Sequence, residues 1–117
     1  MAIIINSTVI AETVSSIQQR EVLRSELIKF KLDLEVQIKG KKAQLELFNT
    51  SIKAKIELDG SSNAYLIKKR TNIINELSAF NIELEDTDNK IDKVNSKIKY
   101  FITQLHQYLI LFGSQFN

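Results

Sequence analysis

The chain has 117 residues, a formal net charge of +2, and neither cysteine nor proline. Lack of cysteine excludes disulfides and thiolate metal sites, and a charge this close to balance gives no electrostatic case for a nucleic-acid partner. With 44% apolar residues, 26% charged residues and three glycines, the composition suits an ordered protein with long, unbroken helices.

Residues 1–6, Met1-Ala2-Ile3-Ile4-Ile5-Asn6, predict a short apolar tail. They lack the basic flank and long apolar core of a signal peptide, and no stretch reaches the ~18 apolar residues of a membrane span. The expected location is the cytoplasm or a virion, with leaderless export left open. Ile3, Ile4 and Ile5 are expected to lie extended or to staple onto the first helical turns.

A first helix is predicted over residues 7–58, with Asn6, Ser7 or Thr8 as its N-cap. It bears two apolar stripes. One comprises Leu27, Phe30, Leu34, Ile38, Leu45, Phe48, Ile52 and Ile56; the other comprises Leu32, Val36, Ala43, Leu47, Ala54 and Leu58. Leu32 and Leu34 lie ~200° apart around a helix, so the stripes occupy nearly opposite faces. One stripe can cover a second helix of the same chain. The other requires a protein partner or self-association, because two helices cannot bury three faces.

Residues 59–62 predict a turn. Gly60 can adopt a positive φ and end the first helix, and Ser61, Ser62 or Asn63 can cap the next. The break lies near the middle of the chain, so two arms of similar length are expected to form an antiparallel hairpin. With Gly60 as the apex, positions equally distant from it should pair. Gly40 then falls opposite Phe80, Phe48 near Ile73, and Ile38 near Ile82 and Leu84. Lys39, Lys41 and Lys42 fall near Glu83 and Glu85.

A second helix is predicted over residues 63–112, followed by a tail at 113–117. Apolar residues recur in steps of three and four through Leu66, Ile73, Leu77, Phe80, Leu84, Ile91, Val94, Ile98, Phe101, Leu105, Tyr108 and Phe112. Arg70 and Thr87 interrupt the series. A period of 3.5 keeps one seam against a partner helix along its length. The last turn, Tyr108-Leu109-Ile110-Leu111-Phe112, is apolar all round and should be buried in part by another chain.

No residue set suggests chemistry. His106 is the sole histidine and has no carboxylate at helical spacing, so it reads as a surface or seam-edge residue. Glu83, Glu85, Asp86 and Asp88 lack the loop spacing and glycine of a calcium site. No serine sits in a strand-turn-helix elbow. The basic clusters Lys39-Gly40-Lys41-Lys42 and Lys68-Lys69-Arg70 lack an aromatic platform for bases. No catalytic residue, metal or cofactor is expected, and no small-molecule substrate.

The length and central turn resemble a prefoldin β-type subunit, a chaperone whose helices are joined by a short β-hairpin. That resemblance implies strands within Lys55 to Lys68, where Ile56 and Leu58 alternate with charges before Asp59-Gly60. The outline is also similar to the small helical-hairpin partners of type VII secretion. Their start is like Ile3-Ile4-Ile5-Asn6-Ser7 followed by an amphipathic helix, although this chain has no tryptophan for their Trp-x-Gly turn.

The sequence therefore predicts an all-α, long antiparallel coiled-coil hairpin in a larger bundle or assembly. The expected function is non-enzymatic: protein–protein interaction, or a structural part of a phage, viral or bacterial assembly. The expected interface residues are Leu32, Val36, Leu47 and Leu58 on the first helix, and Leu109, Ile110, Leu111 and Phe112 on the second. Alternatives are a secretion partner or chaperone, and a membrane-active hairpin anchored superficially through Leu109 to Phe112.

Overall fold

The structure, a computed structural model, describes residues 5–60 and 63–116. The expectations placed on Ile3, Ile4, Ser61 and Ser62 lie outside the described residues. The chain is an all-α hairpin of two helices, α1 (Ser7–Asp59) and α2 (Ala64–Ser114). Among the described residues there is no strand. Lys55 to Asp59 belong to α1 and Ala64 to Lys68 to α2, so the β-hairpin implied by the prefoldin resemblance does not form. Ile52, Lys55 and Asp59 keep a helical step, and the Lys55 ammonium meets the Asp59 carboxylate one turn on, at 2.9 Å, a contact that helical spacing makes.

The helix ends follow the local chemistry. Asn6 caps α1, its side-chain oxygen accepting the Val9 N–H at 3.0 Å. Gly60 ends α1 with φ at 65°, and its N–H donates to the Ile56 carbonyl at 2.8 Å, the left-handed termination that glycine adopts without steric penalty. Asn63 caps α2, accepting N–H groups from Tyr65 and Leu66. At the far end α2 runs on through Gly113 to Ser114, two residues past the expected stop. Nothing forces a positive φ at Gly113, and the Ser114 hydroxyl bonds back to the Ile110 carbonyl, one more helical turn.

Two compact units make up the chain, residues 30–88 and the pairing of residues 1–29 with 89–117. In the unit of residues 30–88, the core is Ile38, Ile73 and Leu77, with Leu45, Phe48, Phe80 and Leu84 packed against it. Leu34, Ile52 and Thr87 are also buried. The Lys31 ammonium meets the Asp88 carboxylate at 2.8 Å, within a residue of the pairing expected about Gly60. Lys41 reaches Glu76, about two turns nearer the apex than the expected Glu83.

In the other unit, Ile5, Thr13, Ile17 and Ile98 are buried. The Arg20 guanidinium lies 4.6 Å from the centroid of the Phe101 ring, and Arg24 donates to the Asn95 side-chain oxygen at 3.2 Å. Gln115 closes this unit. Its amide nitrogen donates to the Ile5 carbonyl at 2.8 Å, and its amide oxygen accepts the Ile5 N–H at 2.6 Å. One side chain thus satisfies both backbone groups of a buried residue that precedes α1, where no helical bond is available.

The seam of α2 runs as the sequence predicts. All twelve apolar positions, and Arg70 and Thr87 that interrupt them, are buried or half-buried. The seam of α1 differs from the expected stripe. It passes through Leu27, Lys31, Leu34, Ile38, Lys41, Leu45, Phe48, Ile52 and Lys55, and leaves Phe30 and Ile56 exposed at 45% and 47%. A strict alternation of three and four residues holds the seam against α2. Lysine can occupy it because the alkyl stem covers apolar surface while the ammonium reaches a carboxylate at the edge.

Gly40 does not face Phe80. It is exposed, and a Cβ built on it meets nothing within 4 Å. Residue 40 falls between the seam positions Ile38 and Lys41, pointing away from α2. Ile82 is likewise exposed, while Leu84 is the residue packed near Ile38.

Candidate helix-docking face

The second stripe of α1 lies opposite its seam. From Leu32 it steps through Val36, Ala43, Leu47, Ala54 and Leu58 in alternating fours and sevens. Eleven residues turn a helix through ~1100°, only ~20° past three full turns, so these side chains form a nearly straight row. The large members are open to solvent: Leu32 is 54% exposed, Val36 70%, Leu47 69% and Leu58 85%. Ala43 and Ala54 are exposed between them. The row falls entirely within the unit of residues 30–88. Its span, Leu32 to Leu58, is ~39 Å at ~1.5 Å per residue.

The face is held rigidly by what lies behind it. Leu34, Ile38, Leu45, Phe48 and Ile52 bury the inner side of the same turns, and the inward side chains fix the helix rotation that aims the row outward. Charges edge the row. Glu35, Lys42, Glu46 and Lys53 lie along one flank, all exposed, and Asp33 borders the other.

The expected site residues at the end of α2 divide. Leu109, Ile110 and Leu111 are exposed. Phe112 is half-buried in the seam, and its ring meets the edge of Phe116 with centroids 5.0 Å apart. Tyr108 also faces inward, half-buried. Burial of the inward half of this turn and exposure of the rest matches the all-round apolar pattern. Phe116, which the helical reading stopped short of, adds to the exposed surface there. The exposed Val22, Leu23 and Ile28 on α1 were also missed. Their spacing forms no continuous row, so periodicity gives no signal for them.

His106 is exposed on α2. Among the described residues no group of three or more histidines and carboxylates is placed to hold a metal ion. Asp88 pairs with Lys31 rather than converging with Glu83 and Glu85. No helix of the described residues is long and apolar enough to cross a membrane. Compared with protein-family models, curated proteins and solved structures, the chain matches none of them.

Proposed function

We propose that the chain works by binding, as a helical interaction or structural component that docks another helix along the outer row of α1. One observation carries this reading: a straight row of exposed apolar side chains, Leu32 to Leu58, on the face of α1 turned away from its seam. A helix that is apolar on two opposite faces gains little from water on the second one. Each large aliphatic side chain on the row would contribute roughly 1.5–3 kcal/mol on full burial, and contiguous apolar surface of this kind marks contact sites. The exposed Leu109, Ile110 and Leu111 offer a second contact patch in the other unit.

Site-specific photo-crosslinking tests the reading. A photoreactive residue placed at Leu47 should give a discrete covalent product in the source cell. The same residue at Asp92, an exposed polar position on α2, should give none. Equal labelling at both positions, or no product at Leu47, would overturn the proposal.

A further inference from the structure

We propose that the occupant of the outer row is a second copy of this chain, packed antiparallel about a two-fold axis beside Gln44. This rests on the reading of that row as a contact surface and adds the partner and the register.

Charge pattern selects the partner. Positions equally far either side of residue 44 come together in such a pair. Glu35 then meets Lys53 of the second copy, and Lys42 meets Glu46. Both charge pairs on this exposed flank join opposite signs. A parallel, in-register pair would instead set this flank against the one bearing Asp33, Gln37, Gln44 and Ser51, and both charge pairs would be lost.

The outer row is symmetric about residue 45, one position from the centre of the charge pairs, so an axis between residues 44 and 45 brings both sets to within ~1.5 Å of level. Val36 falls opposite Ala54, and Ala43 opposite Leu47, so large residues meet small ones and the helices interdigitate. Leu32 and Leu58 meet at the two ends. Gly40 falls beside Leu47 of the second copy. Within its own chain nothing approaches Gly40, since a Cβ there would meet no atom within 4 Å. Yet glycine in a helix interior is less favourable than alanine. Close approach of a second helix accounts for a residue that the isolated hairpin does not require.

A contact ~39 Å long along one helix face is at the small end of specific interfaces. The dimer is therefore expected to be concentration-dependent, forming in the micromolar range.

The chain has no native cysteine, so introduced cysteines report register cleanly. Under mild oxidation, Leu32→Cys and Leu58→Cys chains should crosslink when mixed, and neither should crosslink alone. Ala43→Cys, close to the axis, should crosslink alone. Self-crosslinking of Leu32→Cys would overturn the antiparallel register. Charge exchange gives a second test, read by sedimentation equilibrium with helicity checked by circular dichroism. Glu35→Lys and Lys53→Glu should each weaken the dimer by about tenfold, and the double variant should restore it. Failure of the double variant to recover would overturn the pairing. If the chain is monomeric throughout while Leu47 still crosslinks to a different protein in the cell, the second copy is refuted and the contact surface stands. If neither occurs, both fall.

Discussion

Ile38→Ala is the sharpest probe of the seam. Ile38 is 6% exposed and packs with Ile73 and Leu77, flanked by Leu45, Phe48, Phe80 and Leu84. The change removes about three buried carbons, or roughly 2.4 kcal/mol at ~0.8 per methylene. A residual cavity would add to this, but two helices with solvent on either side can close part of the gap. We expect a loss of about 2–3.5 kcal/mol. Urea unfolding followed by circular dichroism at low micromolar concentration, with the slope compared between variants, reads the value. Gly40→Ala is the control, two residues along on the exposed face. It should stabilise the monomer by about 0.5–1 kcal/mol, because the added methyl meets nothing. A loss under ~0.5 kcal/mol for Ile38→Ala, or a comparable loss for Gly40→Ala, would refute the seam assignment.

Other perturbations separate the remaining contacts. Arg70 occupies a seam position of α2 with its Nε buried and without a hydrogen-bond partner, so Arg70→Leu should stabilise by about 1 kcal/mol, read as a raised midpoint in the same titration. Gln115→Ala removes both bonds to Ile5 and should speed hydrogen exchange of the Ile5 amide by about tenfold, at a cost of about 1–2 kcal/mol; unchanged exchange would mean the clasp does not form. Asp88→Ala, which breaks the partly exposed pair with Lys31, should cost under about 1 kcal/mol and less at high salt; a larger, salt-insensitive loss would show a desolvated pair.

The fold was legible because its signal is one-dimensional. The 3.5-residue period of α2 names its buried face without reference to α1. Asn6, Gly60 and Asn63 are residues whose side chain or lack of one suits a helix end. On α1 the period was blurred. Phe30 and Ile56 are apolar and lie beside the seam, whereas Lys31, Lys41 and Lys55 lie in it. Counting apolar residues favours the wrong positions there, because a lysine stem can do the work of an aliphatic side chain. Polar seam residues have a use of their own. Thr13, Arg24, Lys31, Lys41 and Thr87 break the sameness of an aliphatic seam, and a slip of one heptad would misplace Arg24 from Asn95 and Lys31 from Asp88.

The Gly40 and Phe80 pairing failed for a related reason. Equal distance from the apex fixes height along the hairpin but not direction around each helix. Residue 40 sits at the right height and points outward. The outer row of α1 was readable because its members recur every eleven residues and keep one direction. The exposed surface at Val22, Leu23 and Ile28 has no such repeat and emerges only when the seam is located in three dimensions.

The central claim is that the outer row of α1 is a contact surface that the hairpin itself does not need. Val36→Glu combined with Leu47→Glu tests it directly, because both side chains are exposed and neither lies in the seam. Sedimentation velocity on the native chain should show a species heavier than one copy that grows with concentration. The double variant should run as a single copy, with its helicity and urea midpoint little changed. A native chain that sediments as one copy at every concentration, and whose unfolding is strongly weakened by the two glutamates, would contradict the claim.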